Sequence, residues 1–324
     1  MRRTAFLIAV AAGITFSLIG ARASAQGSYP ERPIRIVVPS TPGGGADFIA
    51  RLLAQKLAET LKAQVAVENR PGGGQLIGTE VVARSAPDGY TLLMTYTDHV
   101  YAPFLRDSLP YDTVKDFKPI SMLGSLSFLM AVNPAVPART IQEFVALAKE
   151  KPGTLNFASA GNASSLHLSA ELFNSAARIS TIHVPYKGSA PAMSDLVSGR
   201  VQYIFASPVS LVGLIRDGKL RALAFGGAAR DAALPDVPTF AESGFPGFEP
   251  GIWYAMLAPA GTPDAIITKL NSALRDALAL PDVREKLRAQ GVTISSSTPA
   301  ELGAKIDAEL ARWGKIIRDA KIKL

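Results

Sequence analysis

The chain predicts an α/β protein of two domains. Short apolar runs of strand length alternate with segments of helical spacing along most of its 324 residues, the signature of helices covering a sheet. The unit strand, small-residue loop, helix occurs twice, over 34–61 and over 155–176. A long stretch rich in Pro and Gly, 226–250, lies between two regular regions and reads as a return passage between domains. With 48% hydrophobic residues, a chain of this length can bury more than one core.

Taken in order, Arg2 and Arg3 precede an apolar run over 5–19, and Ala23-Ser24-Ala25 offers a small-residue cleavage site. Cleavage after Ala25 and export are therefore expected. Gly13, Thr15, Ser17 and Gly20 make this run too short and soft for a membrane anchor. The chain has no cysteine, which excludes a lipid attached to cysteine and excludes disulfides. Removing Arg2, Arg3 and Arg22 lowers the formal charge from +7 to +4. That mild excess, without clustered Lys/Arg and interleaved aromatics, argues against nucleic acid and favours small anions.

Ile34, Ile36, Val37 and Val38 form a buried strand by composition. Beyond the turn at Pro42-Gly43-Gly44-Gly45, Ile49, Leu52, Leu53, Leu57 and Leu61 recur at helical spacing. Glycines let backbone approach a ligand closely, and the first N–H groups of a helix have no partner inside it and sit at its positive end. The pair is a receptor for an anion. It is not a P-loop, because Gly45-Ala46-Asp47 stands where Gly-Lys-Ser/Thr is required. Nor is it a dinucleotide fingerprint, because Phe48 occupies the third glycine's place. Asp47 would repel a phosphate unless its side chain caps the helix, so a small carboxylate is the better fit. The ordinary alternative is a tight connection with no ligand.

A strand over 65–68, a glycine turn at 72–74, a helix over 76–85 and a strand over 90–94 complete the first unit. Residues 95–99 are expected to be a polar loop at the carboxyl end of a strand, where open α/β sheets bind ligands. One long strand over 120–132, with Gly124 and Ser125 inside it, is the expected first crossing. Thr140 and Glu143 have the capping-box spacing for a helix to about 149. After a strand over 155–158, Ser159-Ala-Gly-Asn-Ala-Ser-Ser165 leads into a helix over 166–176. Strands over 181–184, 201–206 and 220–225 alternate with helices over 190–198 and 209–216. The chain returns to a strand over 253–258 and helices over 264–280, 283–290 and 299–320, the last opened by Thr298 and Glu301 as a second capping box with Pro299 at its first position. The expected domains are 26–123 with 250–324, holding both mature ends, and 124–249.

Two helix starts, one per domain, can hold a single anion from two sides if both face the cleft. Ser159 to Ser165 judged alone reads better as a plain N-cap. His99, His167 and His183 have no metal-ligand spacing, and no metal or cofactor is expected. Ser165 and His167 raise the alternative of an exported serine hydrolase, although no G-x-S-x-G elbow exists. His183, flanked by Ile182 and Val184, reads as structural. His99 beside Asp98 either meets a ligand or braces its loop. Tyr96, Tyr101, Phe128, Tyr186, Trp253 and Tyr254 could wall a pocket, and the loop-borne Tyr96 and Tyr186 are the ones expected to, since most aromatics in a chain of this size are core.

Several ordered motifs run through the chain: Tyr29-Pro-Glu-Arg-Pro-Ile34, Pro42-Gly-Gly-Gly-Ala-Asp47, Val67-Glu-Asn-Arg-Pro-Gly-Gly-Gly74, Ala86-Pro-Asp-Gly-Tyr-Thr-Leu92, His183-Val-Pro-Tyr-Lys-Gly188, Leu234-Pro-Asp-Val-Pro-Thr239, Leu257-Ala-Pro-Ala-Gly-Thr-Pro263 and Ala311-Arg-Trp313. On them the chain resembles the Bug-type periplasmic solute-binding receptors of tripartite tricarboxylate transporters. The resemblance implies a two-domain periplasmic binding-protein fold, type II-like, with the ligand cleft between the lobes. It also implies capture of a small organic carboxylate and its delivery to membrane permease subunits, with no enzymatic activity. A monomer is expected. A role in ligand sensing is a further alternative.

The matching positions for a carboxylate held by main-chain N–H groups are Thr41, Gly43, Gly44, Gly45, Ala46 and Asp47 on one side. On the other they are Ser159, Gly161, Asn162, Ala163, Ser164 and Ser165. The ligand's far end is expected at Tyr96, Asp98 and His99 and at Ala206 and Ser207. There the chain departs from the family's pattern: Tyr96 and Asp98 stand where small residues are usual, and Ala206 and Ser207 where acidic and amide residues are. The carboxylate grip reads as kept and the selectivity end as altered.

Overall fold

Two five-stranded sheets, each part parallel and part antiparallel, organise the chain. The structure is a computed structural model describing residues 29–319 and 322. Residues 32–324 cluster as one unit, and of the other unit, 1–31, only 29–31 are described. The expected signal segment and its cleavage site after Ala25 lie outside the described residues.

The first sheet begins with β1 (Ile34–Val38), every residue of which is buried except Arg35. Helix α1 (Gly45–Leu61) follows and buries Ile49, Leu52, Leu53 and Leu57, the expected stripe. It ends at Lys62, whose left-handed backbone (φ 53°) closes the last turn. β2 (Val65–Asn69), α2 (Leu76–Ala83) and β3 (Thr91–Tyr96) extend the unit, with β2 and β3 both parallel to β1. The expected polar loop at 95–99 is instead the end of β3 and the start of a helix, α3 (Asp98–Leu105). Val100, Tyr101 and Leu105 bury its apolar side, and Pro103 inside it hides its helical character from a sequence reading.

The expected single strand over 120–132 is two strands. β4 (Phe117–Ser127) stays in the first sheet, antiparallel to β10 (Gly251–Pro259), as far as the pair Ser127 and Gly251. β5 (Leu129–Val132) belongs to the second sheet. The chain changes sheet at Phe128. The first sheet has the order β2-β1-β3-β10-β4.

The second repeats the plan. After α4 (Ile141–Glu150), whose N-cap Thr140 accepts from Glu143 N–H while the Glu143 carboxylate turns back to Arg139 N–H rather than to the predicted Thr140 N–H, come β6 (Asn156–Ser159), α5 (Ser165–Ala177), β7 (Ile182–Pro185), α6 (Ser189–Val197), β8 (Tyr203–Ala206), α7 (Pro208–Arg216) and β9 (Arg221–Phe225). Their order is β7-β6-β8-β5-β9, with β7 and β8 parallel to β6 and β5 antiparallel to its neighbours. Each sheet is thus a βαβαβ unit closed by one antiparallel strand, with its outermost strand beyond. Leu129, Ala158, Ile204, Leu196 and Leu211 form one core on this sheet. On its other side Phe173 packs against Phe144, Phe205, Phe240 and Phe248, so Phe240 and Phe248 of the passage 226–250 are core, as is Leu234. Helices α8 (Asp264–Ala279), α9 (Pro281–Ala289) and α10 (Pro299–Asp319) return to the first sheet. The second predicted capping box, Thr298 with Glu301, is formed at the start of α10.

Candidate functional site

In each half, a strand ends, a short loop of small residues turns, and a helix begins. The first helix start is α1. Its N-cap, Gly44, has extended backbone and offers no side chain to the helix. The first bond within the helix runs from Phe48 N–H to Gly44 O, so the N–H groups of Gly45, Ala46 and Asp47 have no partner inside it. Asp47 turns back: its carboxylate accepts from Gly43 N–H (2.9 Å), Arg51 Nε (3.0 Å) and Asn69 Nδ2 (2.9 Å). Burial works against its charge, but hydrogen bonds from Arg51, Gly43 and Asn69 outweigh burial and hold the carboxyl below its usual range. Asp47 therefore fastens the loop to its helix and to β2. Thr41, Gly43 and Gly44 are exposed in that loop.

The second helix start is α5. Ser164 is its N-cap, accepting from His167 N–H at 3.3 Å and donating to Gly161 O at 2.8 Å. Ser159 Oγ also donates to Gly161 O (2.9 Å) and meets His183 Nε2 at 2.6 Å. Ala163 takes a left-handed backbone, φ 55°, which aims its N–H at His167 Nδ1, 2.9 Å away. His167 and His183 stack with ring centres 3.7 Å apart. Burial first, then the neighbouring His167, push the His183 pKa down to about 4, against an opposing pull from Glu171. The two imidazoles hold the loop from behind. No hydrogen bond joins Ser165 to His167: the Ser165 hydroxyl donates instead to Asp98 Oδ1 at 2.9 Å.

Both helix starts open on one cavity of about 550 Å³ between the sheets. Gly45 reaches it from α1, Ser164 and Ser165 from α5, Tyr96 and Asp98 from the end of β3 and the start of α3, and Ala206 and Ser207 from the end of β8. Seven of the sequence-derived positions thus share one wall-to-wall space. Asn162 and Ala163 line a smaller neighbouring cavity of about 220 Å³, which shares Asp98 and Ser164 with the first and adds Arg106 and Gly74. Thr41, Gly43, Gly44, Ala46, Asp47, Ser159 and Gly161 stand behind the lining, as the loops that carry it.

His99 and Tyr186 are elsewhere. His99 is buried, donates from Nε2 to Thr113 O (3.0 Å) and packs on Tyr111 and Phe117. Burial pushes its pKa down to about 4. It braces the helix rather than facing the cavity. Tyr186 donates its hydroxyl to Asp195 at 2.8 Å. What the sequence did not single out is Tyr254. Its hydroxyl would lie 2.9 Å from a Cβ placed on Gly45, and its ring sits 6.4 Å from that of Tyr96. Burial, and next the charge of Asp98, raise its pKa to about 12, so the phenol keeps its proton as a donor. Asp98 itself is raised to about 6 by burial, partly offset by Ser165 and the Gln75 side chain. Leu126, Ile252 and Val292 were also missed, because only the antiparallel pairing of β10 with β4, and the bridge from Thr293 to Ser125, gather them at one place. Among the described residues, no lysine, arginine or histidine lines this cavity.

A family model described as the tripartite tricarboxylate transporter family receptor matches residues 49–322. Protein BugT of Bordetella pertussis is 38% identical over 326 residues, covering all of both chains. Among solved structures, one described as a periplasmic transporter is 39% identical with a TM-score of 0.77, covering 91% of this chain and 99% of that one. Rpa4515 of R. palustris with adipate is 33% identical with a TM-score of 0.78, covering 91% of this chain and 100% of its own. These receptors share the sheet arrangement described above, and this chain belongs to the tripartite tricarboxylate transporter family of receptors.

Proposed function

We propose that this protein is exported to the periplasm, with cleavage after Ala25, where it captures a small organic carboxylate between two lobes. It then delivers the acid, as a monomer, to the membrane permease of a tripartite transporter. The lobes are the two sheets with their helices, joined at Phe128 and through 226–250. One observation carries the reading: two helix starts from different sheets, at Gly45 and at Ser164–Ser165, open on the same cavity. The unpartnered N–H groups there neutralise a carboxylate without an arginine. The adipate in the related Rpa4515 structure is a ligand of the same chemical kind.

Magnitudes agree with a transport receptor. About four hydrogen bonds to a charged group at roughly 1.5–3 kcal/mol each total about 6–12 kcal/mol. Association and ordering reduce that sum, leaving a Kd on the order of micromolar, about −8 kcal/mol.

The hydrolase alternative finds no support in the geometry. Ser165 Oγ donates to Asp98 and not to an imidazole, and His167 Nδ1 is occupied by the Ala163 N–H, so the Ser–His pair that the alternative needs is not formed. The test is native mass spectrometry of freshly purified protein, followed by calorimetry after the bound acid is stripped by unfolding and refolding. A co-purified organic acid that rebinds with micromolar affinity is the expected result. A stripped protein that binds no carboxylate would overturn the reading.

A further inference from the structure

The cavity is divided along its length. Strand β10 alternates its side chains, so Tyr254 and Ile252 share a face about 7 Å apart. Tyr254 pairs with Tyr96 on β3 and abuts Gly45, which places it at the helix starts together with Asp98 and Ser165. Ile252 pairs with Leu126 on β4, toward the point where the chain changes sheet. Around Ile252 the wall is made by Leu126, Phe128, Val209 and Val292. The polar groups at that end, Ser207, Ser210 and Gln290, are uncharged, and the Ser210 hydroxyl already donates to Ser207 O at 2.8 Å. One half of the cavity therefore offers free N–H groups, phenol hydroxyls and a carboxyl. The other half offers mostly hydrocarbon, with the neutral hydroxyls of Ser207 and Ser210 and the Gln290 amide, the Ser207 hydroxyl being buried without a hydrogen-bond partner among the described residues.

A dicarboxylate would have to leave its second charge in one of two places. Against Ile252, Leu126 and Phe128 the ion would lose its water and gain no opposite charge, a cost that normally forbids such burial. At the helix starts beside Asp98 the free N–H groups are already taken by the first carboxylate, and a second would add like charge to it and to Asp98. Arg106 lines the smaller cavity behind Asp98 but not this one, and spends one guanidinium N–H on Gly73 O at 2.7 Å. A hydrocarbon body in the same position would gain about 25 cal/mol for each Å² removed from water.

We infer that this receptor's ligand is a monocarboxylic acid with an apolar body, aryl or branched aliphatic, whose single charge sits at the two helix starts and whose hydrocarbon lies against Ile252, Leu126, Phe128 and Val292. This rests on the carboxylate reading above and narrows it.

Calorimetry on the stripped protein with benzoate, 3-methylbutanoate, adipate, succinate and benzamide separates the two. The expected result is that benzoate or 3-methylbutanoate binds at least tenfold tighter than either diacid, and benzamide does not bind measurably. Adipate or succinate binding as tightly as the monoacids would overturn the inference and leave the carboxylate receptor standing. Benzamide matching benzoate, or silence from every acid, would overturn both.

The half-exposed Ile252 gives a second arm. Ile252→Arg, with folding checked by circular dichroism, is expected to raise adipate affinity relative to benzoate at least tenfold, while Ile252→Gln does not. An unchanged ratio in a folded Ile252→Arg protein would count against a charge-free far wall.

Discussion

At the scale of single residues, His99 shows how a candidate ligand residue serves the frame. It lies one position after Asp98, which faces the cavity, but the helical turn swings it the other way, into Tyr111 and Phe117. Its pKa is lowered from 6.5 to about 4 by burial, so the unfolded chain binds the proton more readily. Its contribution to stability is complete above pH 6.5 and is lost as pH falls toward 4, about 3 kcal/mol in all. Asp98, raised to about 6, acts in the opposite sense: its contribution is held at low pH and lost as pH rises through 6. Urea unfolding of wild type and His99→Phe between pH 7.5 and 4.5 separates them. The variant is expected to lose less stability on acidification, and parallel profiles would refute the assignment.

Gly45 makes the complementary case. A methyl group there would meet the Tyr254 hydroxyl at 2.9 Å, although the backbone is ordinary for a helix. Gly45→Ala is therefore expected to weaken ligand binding at least tenfold by calorimetry, with the midpoint of thermal unfolding of the ligand-free protein shifted by no more than a few degrees.

At the scale of elements, periodicity spoke clearly where one face of a helix is buried and weakly elsewhere. α1, α4, α8 and α10 carry apolar stripes, and α4 and α10 also N-caps, that any reader of the sequence can find, and they lie where those signals put them. α3 was not legible, because eight residues containing a proline give too few turns for a pattern. The split of β4 from β5 was not legible either: both halves are apolar, and only the exchange of partners at Phe128 divides them. The passage 226–250 looked like linker by its Pro and Gly, and the same composition hid its role as a wall of the core. Phe240 is fully buried against Phe173, Phe205 and Phe248. Phe240→Ala is expected to cost about 3–5 kcal/mol, measured by urea unfolding. A loss under about 1 kcal/mol would show that this passage is a free connector.

At the scale of the whole molecule, function follows from a ligand that touches both sheets. On the proposed reading Gly45 and Ser165 hold the same carboxylate, which only a closed arrangement would allow, so the ligand's differential affinity would favour closure. The Ser165 to Asp98 hydrogen bond joins a helix of the second sheet to one of the first. Small-angle X-ray scattering on stripped protein should show the radius of gyration fall when a bound monoacid saturates the site. The same ligand at 100 times its Kd should add about 2.7 kcal/mol to stability. Scattering curves that superimpose with and without ligand would argue that capture involves no closure.

By itself the amino-acid sequence determined the α/β class, the doubled strand–loop–helix plan, the helix caps and the preference for an anion. Each of these is set by neighbours a few positions apart: a side-chain period, a capping residue, a glycine at a turn. Asp47 folding back on Gly43 belongs with them, four residues away. Only the tertiary structure decided that Tyr254 borders Gly45, that Asp98 rather than His167 accepts the Ser165 hydrogen bond, and that Ile252, Leu126 and Val292 meet in one apolar wall. Those neighbours are brought together by strand pairing and by the approach of two sheets, which no local pattern along the chain encodes.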